Sequence, residues 1–243
     1  MTVRPAESTR VDALPGPRSR WGRRVGALVG LRVRTGARAG RALPPLLSGV
    51  VLLGVVHAGG AAPAAQAYAF SAAVLFGVFG WQAAVVLDAE PDDQRLLART
   101  ALGARGEILA GLMAAGATTV PLAVVATGAP QLMGVLADPH PVAFARGLWL
   151  HLLSALCGAA WGAVVSRASV PAARWSILLL LAGAVLVPVL GGRGPAPGRW
   201  TVPPFAASMR VESVVDAALV TLHGVAWAGV LVAVYVLRRR RRP

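Results

Sequence analysis

Four ionisable residues lie inside or beside long apolar runs of the sequence: His57, His151, Asp216 and His223. A charged group at the centre of a hydrocarbon layer costs about 2.5–3.5 kcal/mol, so each is a candidate for a polar site within the apolar region. Asp216 and His223 are seven residues apart and therefore share one face of a helix. Such a pair could relay protons or orient a catalytic base. In the alternative, structural interpretation, Asp216 lies near the outer headgroups and a neutral His223 hydrogen-bonds to a neighbouring helix.

Enzyme chemistry finds little support in the sequence. Ser154 lies in the run HLLSALCG, which lacks the Gly-x-Ser pattern of an intramembrane serine protease, although His223 could approach it. No His-Glu-x-x-His motif is present, and a single cysteine, Cys157, excludes an intrachain disulfide and a cysteine-cluster metal site. All 24 basic residues are arginines, so the chain has no Walker A lysine and no Schiff-base lysine. We therefore expect no catalytic residue, no metal and no cofactor.

The composition indicates an integral membrane protein. Of the 243 residues, 56% are apolar and only 14% are charged, whereas about a quarter of the residues of a soluble domain are charged. The net charge of +14 could suggest a nucleic-acid partner. However, the arginines flank the apolar runs and are nearly absent within them. This placement favours lipid headgroups over nucleic acid as the anionic partner.

Apolar segments of about 20 residues predict an all-α fold with six transmembrane helices, because about 20 residues cross a hydrocarbon core of roughly 30 Å. We expect residues 1–41 to form a basic tail with an interfacial helix and residues 42–243 to form the membrane domain. The predicted spans are Leu43–Ala62, Ala67–Leu87, Ile108–Gly128, Gly147–Ser166, Trp175–Gly191 and Val214–Leu237. The first two spans should form a tight hairpin, since little more than Pro63–Gln66 joins them.

The distribution of arginines predicts the orientation of these spans. With the N-terminus in the cytoplasm, the cytoplasmic segments hold 20 arginines and the outer loops hold Arg146, Arg193, Arg199 and Arg210. The five arginines at 238–242 alone give the same direction. We therefore expect a multi-pass protein of the bacterial cytoplasmic membrane with both termini in the cytoplasm.

The stretch Asp88–Glu107 is a charged connector between two apolar segments. Pro91 suits a first helical turn, and acids there favour the helix dipole. Gly103 is a natural helix end. Leu96, Leu97, Ala101 and Leu102 are close enough at helical spacing to form an apolar stripe. The pattern predicts a helix of about three turns on the cytoplasmic side, which is either a solvated connector or a docking site for a soluble partner.

Two other segments leave alternatives open. Trp21–Arg41 could form an interfacial helix with Trp21, Val25 and Leu28 on one face, or it could be a disordered basic tail weakened by its glycines. The outer loop Gly192–Ser213 carries an aromatic–proline cluster that includes Trp200 and Phe205. This cluster could turn back towards the membrane interface or belong to a plain surface loop.

The order of these segments resembles the type-2 ATP-binding-cassette (ABC) exporter permeases, especially the compact, arginine- and alanine-rich proteins of actinobacteria. The resemblance covers residues 20–240 and lies in topology and composition; only EPDDQRLLARTALG approaches a motif. It implies a permease subunit without enzyme activity of its own, paired as a homodimer or heterodimer with a second permease chain and served by a separate ATPase subunit. In this scheme Trp21–Arg41 is the connecting helix and Gly192–Ser213 is a re-entrant element that closes the exit.

The resemblance also implies that Pro91–Leu102 is the coupling helix. Leu96, Leu97 and Leu102 would occupy a groove of the ATPase, with Arg95 and Arg99 at its rim. The residues expected to contact the partner are Asp92, Asp93, Arg95, Leu96, Leu97, Arg99 and Leu102. The alternative function is a structural or regulatory membrane anchor that binds a cytosolic partner through the same segment. The absence of a charged ring within any predicted span disfavours an inorganic ion path and weakly favours a lipid-like cargo.

Overall fold

The computed structural model describes residues 17–192 and 201–241, with side chains described from residue 21 onwards. This part of the chain is all-α. Its seven helices are α1 (Pro17–Arg38), α2 (Leu43–His57), α3 (Ala64–Asp88), α4 (Asp92–Leu132), α5 (Pro141–Val165), α6 (Ala173–Gly192) and α7 (Val214–Arg240). A short 3-10 turn, Ala207–Arg210, precedes α7. The interfacial helix expected over residues 21–41 corresponds to α1.

Five helices, α3 to α7, are long and apolar enough to cross a membrane, and this indicates a membrane protein. Among the described residues, α1 from Trp21 onwards and α2, which meet at a bend of 73°, add a sixth span if they are counted as one broken span. The expected first span, 43–62, is too long: α2 has 15 residues and ends at His57. The chain then turns through Gly60, whose φ of +93° is a conformation that glycine adopts without strain.

Helices α3 and α5 form the centre of the bundle. In both helices, 72% of the 18-residue apolar stretch is buried inside the bundle. The corresponding share is 11% in α6 and 17% in α7. Glycines allow the two central helices to approach closely: a Cβ on Gly158 would lie 2.7 Å from the Phe76 carbonyl oxygen, and one on Gly162 would lie 2.2 Å from that of Gly80. This is the small-residue packing that helices use in lipid, where burial of apolar surface provides no drive for association.

The connection between α2 and α3 is hydrogen-bonded to the connection between α4 and α5. The Ala62 amide donates to the Val135 carbonyl at 3.0 Å, and the Ala137 amide donates to the Ala62 carbonyl at 2.9 Å. The Asp138 carboxylate then accepts the Ala64 amide at 2.6 Å, at the start of α3. The α2–α3 hairpin is therefore held by the loop after α4, a partnership that the expected short connection at 63–66 does not suggest.

The described part of the loop before α7 is not a plain surface loop. Residues 202–205 are buried, and Phe205 packs 6.2 Å from the ring of Phe76 in α3. Trp227 of α7 donates its indole N–H to the Thr201 carbonyl at 2.9 Å. Arg146 of α5 donates to the Ser208 and Val211 carbonyls at 2.6 and 2.8 Å. This segment therefore packs into the bundle, whereas Trp200 lies outside the described residues.

Candidate functional site

The candidate coupling segment is the first part of α4, residues 92–102. Pro91 lies at the N-cap position, one residue before the first helical turn in which the sequence pattern suggested it would lie. Asp92 and Asp93 occupy the first turn and are exposed. Gly103 breaks the helix with φ +74° and ψ 165°, as predicted, and the chain resumes helical geometry towards the third apolar span. The result is an eleven-residue segment set off from its span by a kink.

Two leucines give this segment an exposed apolar surface. The exposed fraction is 53% for Leu96 and 69% for Leu97. Leu102 is half-buried and packs beside Gly106, where an added Cβ would lie 2.8 Å from the Leu102 Cβ. Of the three leucines assigned to a partner, Leu96 and Leu97 are thus available for contact, whereas Leu102 lies partly within the chain's own packing.

The arginines of the segment hold it to the bundle. Arg95 donates to the Leu87 carbonyl at the end of α3 at 2.5 Å and forms an ion pair with Asp92 at 3.3 Å. Arg99 donates to the Arg239 carbonyl near the end of α7 at 3.3 Å. The resemblance places Arg95 and Arg99 at the rim of a partner's groove, but in the structure both guanidinium groups contact the chain's own helices. They orient the segment so that the two leucines protrude.

Glu107 is the centre of this end of the molecule, and sequence reasoning missed it. Its side chain is 4% exposed and lies between arginines from three separate parts of the chain. Arg239 Nη2 donates to Glu107 Oε1 at 3.0 Å, and Arg32 Nη2 lies 3.3 Å from the same oxygen. Arg99 Nε is 3.8 Å from Oε2. One carboxylate therefore joins α1, the candidate coupling segment and α7 at one end of the bundle.

A second acid completes the cluster. Glu90, in the turn between α3 and α4, pairs with Arg32 of α1. On the far side of the turn, the Asp88 carboxylate accepts the Arg167 amide at 3.0 and 3.1 Å, so the loop after α5 is tied to the same place. One feature of the sequence could have indicated this cluster: Glu107 directly precedes an apolar run. A carboxylate in that position is desolvated, and it is stable as an ion only when cations such as arginines pair with it.

The polar residues predicted inside the bundle do not form one site. His151 is fully buried: its Nε2 lies 3.0 Å from Ser71 Oγ and its Nδ1 lies 2.8 Å from the Gly147 carbonyl oxygen. Tyr68 packs edge-on against the His151 ring and donates its hydroxyl to the Thr127 carbonyl at 3.1 Å. With both ring nitrogens partnered and no exposed surface, His151 joins α3, α4 and α5 as a structural polar contact.

The other three residues occupy two different places. His57 is buried at the end of α2, and its Nε2 has no hydrogen-bond partner among the described residues. Asp216 and His223 both line a cavity of about 570 Å³ between α7 and the loop that precedes it. Asp216 forms a capping box with Ser213: Ser213 Oγ accepts the Asp216 amide at 3.1 Å, and the Asp216 carboxylate accepts the Ser213 amide at 3.1 Å. Asp216 therefore has a structural role at the start of α7, which the sequence did not suggest.

The Ser154–His223 pair considered for a protease is not assembled as a nucleophile and base. Ser154 is fully buried and donates its hydroxyl to the Ala72 carbonyl of α3 at 2.6 Å. Among the described residues, no three His, Cys, Asp or Glu side chains are grouped so that they could hold a metal ion.

Comparisons with the models of known protein families, with curated proteins and with solved structures gave no significant match to this chain. What is established is the class: in the part of the chain that the structure describes, an all-α fold with five, or at most six, helices suited to crossing a membrane. Any more specific function has to be argued from the arrangement of the residues described above.

Proposed function

We propose that this chain is the membrane-spanning permease subunit of an ATP-driven exporter, coupled to a separate ATP-binding-cassette ATPase through residues 92–102. The observation that carries the proposal is the combination of two exposed leucines, Leu96 and Leu97, with a segment that is fixed to the bundle at both ends. An apolar tip on a rigid support is what a docking site for a moving partner requires, because a flexible loop would absorb the motion instead of passing it on.

The arginine contacts support transmission of force from this segment. Arg99 connects it to α7 and Glu107 connects α4 to both α7 and α1, so a displacement of residues 92–102 acts on helices at opposite ends of the sequence. Switching by rigid-body movement needs such discrete contacts between packed elements. In this proposal the segment faces the bacterial cytoplasm, and two permease chains and two ATPase chains form the working unit.

Co-purification with the ATPase tests the proposal. The ATPase to use is an ABC ATPase encoded beside this chain, produced together with it and captured through a tag on the permease. Replacing both leucines by aspartate, Leu96→Asp plus Leu97→Asp, should lower the amount of bound ATPase at least about tenfold, because charge is then placed against an apolar groove. Leu96→Met plus Leu97→Met keeps the surface apolar and should retain binding.

A second charge control separates docking from folding. Ala104 is exposed just beyond the Gly103 kink, and Ala104→Asp adds a negative charge near the segment without touching its leucines. This variant should bind the ATPase as the unaltered chain does. Retention of the ATPase by the double aspartate variant would remove the assigned role of the segment. Capture of a partner that does not hydrolyse ATP, lost in the same variant, would favour the membrane-anchor function instead.

A further inference from the structure

A groove of about 620 Å³ lies between α1, the end of α3 and the candidate coupling segment. Its walls are mainly apolar, and its volume falls in the range of about 300–1,000 Å³ that small-molecule sites occupy. The residues that matter for the argument are Leu28, Leu31, Arg32, Arg41, Val86 and Leu97. Leu31 and Leu97 are strongly exposed there, so the groove has an open apolar surface that the described part of the chain does not cover.

The inner side of the groove carries an excess of positive charge. Arg32 and Arg41 are the cations in its lining and Glu90, which pairs with Arg32, is the acid, so the lining carries a net charge of +1. Behind the lining, Arg99 and Arg239 share Glu107 with Arg32, so these three arginines outnumber the two acids Glu90 and Glu107 by one.

One hydrogen-bond donor in the lining is also left over. The Nε atom of Arg32 is buried and has no hydrogen-bond partner among the described residues. A buried donor without an acceptor costs about 1–3 kcal/mol, more when it is charged. Arg32 is nine-tenths buried and lines both this cluster and the apolar groove. An acceptor in the groove would satisfy this Nε donor, whereas the two Nη atoms of Arg32 are already paired with Glu90 and Glu107.

The outer edge of the groove is basic as well. Arg41 is exposed at the rim, and its only hydrogen bond among those described is a 3.2 Å contact from Nη1 to the Ala89 carbonyl. Helix α1 contains seven arginines and no acid. It bends by 73° from α2 and thus lies across the end of the bundle, where the headgroups of a bilayer would be.

We propose that this groove binds one anionic phospholipid of the surrounding membrane, with its phosphate towards Arg32 and Arg41 and an acyl chain against Leu28, Leu31 and Val86. Charge complementarity selects an anionic headgroup, and the apolar walls select a lipid over a free phosphate. The inference does not depend on the proposed transport function, because it concerns only how this end of the bundle meets the membrane.

Lipid titration of the full chain tests the proposal. The chain is purified in a non-ionic detergent, and dioleoyl phosphatidylglycerol and dioleoyl phosphatidylcholine are added separately while bound lipid is counted by native mass spectrometry. The two lipids have the same acyl chains and differ in the net charge of their headgroups. We expect phosphatidylglycerol to bind at least about fivefold more tightly, the effect of about one arginine near a membrane surface. Equal binding of the two lipids would contradict the proposal.

Matched variants locate the site. Arg41→Gln should reduce the preference for phosphatidylglycerol about fivefold, while Arg23→Gln, which removes the same charge from an exposed position on α1 outside the groove, should change it less than twofold. Leu31→Gln should weaken the binding of both lipids about threefold, because it places a polar group on the groove wall that contacts the lipid's acyl chain. Equal losses in Arg41→Gln and Arg23→Gln would mean that the attraction comes from general surface charge and not from the groove.

Two further outcomes identify other occupants. Glycerol phosphate should not displace the lipid at equal concentration; if it does, the site recognises phosphate alone and the lipid proposal is wrong. If both lipids bind equally and Leu31→Gln lowers ATPase co-purification instead, the groove holds the partner protein and the lipid proposal is again wrong. Neither result depends on Leu96, so failure here is distinguishable from failure of the docking proposal.

Discussion

Arg32 and Glu107 are 75 residues apart in the sequence and in contact in the structure. Arg32 Nη1 donates to the Glu107 carbonyl oxygen at 3.0 Å, and Nη2 lies 3.3 Å from Glu107 Oε1. The same carboxylate accepts a hydrogen bond from Arg239, near the end of α7. These residues come from α1, α4 and α7. Their contact therefore places the later part of α1, the candidate coupling segment and the end of α7 at one end of the bundle.

The first prediction concerns the loss of this carboxylate. Glu107→Gln leaves Arg32 and Arg239 buried without their shared acid, and removing one partner of a buried ion pair typically destabilises by about 3–5 kcal/mol. We expect the free energy of unfolding in detergent to fall by about that amount. Glu212→Gln removes an acid at an exposed position and serves as the control, with a change below about 0.5 kcal/mol. Similar effects of both variants would show that the cluster contributes nothing to stability.

The second prediction concerns the contact between α3 and α5. In Gly162→Ala the new Cβ would lie 2.2 Å from the Gly80 carbonyl oxygen, so the two central helices must separate. Overpacking of this kind costs about 1–3 kcal/mol. In Gly116→Ala the Cβ would have no atom within 4 Å, and that variant should be neutral or slightly more stable. Thermal unfolding of the two alanine variants compares them, and an unchanged midpoint for Gly162→Ala would contradict the close approach.

The third prediction separates His151 from the other histidines. His151→Ala should lower the free energy of unfolding by about 3 kcal/mol, because it opens a cavity and leaves Ser71 without a partner on that side. His140 lies at the N-cap of α5 and accepts the Ala143 amide at 3.1 Å, so His140→Ala should cost about 1 kcal/mol. Chemical unfolding in detergent measures both values. If His151→Ala lowered the free energy of unfolding no more than His140→Ala, the hydrogen bonds of buried His151 would not contribute to stability as predicted.

The fourth prediction tests the capping role of the Ser213–Asp216 pair. Ser213→Ala removes the acceptor for the Asp216 amide and should destabilise α7 by about 1 kcal/mol, whereas Ser213→Asn, another good N-cap residue, should keep most of the stability. Neither change should affect ATPase co-purification, because the pair lies at the end of α7 remote from Arg239 and its contacts with α4. A loss of ATPase binding in Ser213→Ala at normal stability would assign the pair a role beyond capping.

Local chemistry made several features predictable from the sequence. Gly103 ends the coupling segment because it adopts a positive φ, and the pattern of apolar runs predicted the ends of α3, α6 and α7 to within three residues. Helix α5 begins six residues before the expected span, and α4 combines the expected connector helix and the third span. The early end of α2 was missed: hydropathy continues through Ala58 and the following residues, while the helix stops at His57 and the chain turns at Gly60.

Contacts between distant residues were not predictable. Glu107 reads as one more charge in a charged connector, because its partners Arg32 and Arg239 are 75 and 132 residues away. The placement of Arg95 and Arg99 at the rim of a partner's groove came from the family resemblance and stays a prediction; in the structure both donate to carbonyl groups on other helices of the chain. Helical spacing describes one helix at a time and says nothing about which helices meet.

The most direct test of the account is the side of the membrane on which residues 92–102 lie. Cys157 is first replaced in Cys157→Ala, and Leu97→Cys is then labelled with a membrane-impermeant maleimide in intact bacterial cells and in inside-out vesicles. Val142→Cys, at the start of α5 and the opposite end of the bundle, provides the comparison. We predict labelling of Leu97→Cys only in inside-out vesicles and of Val142→Cys in intact cells; labelling of Leu97→Cys in intact cells would contradict a cytoplasmic docking segment.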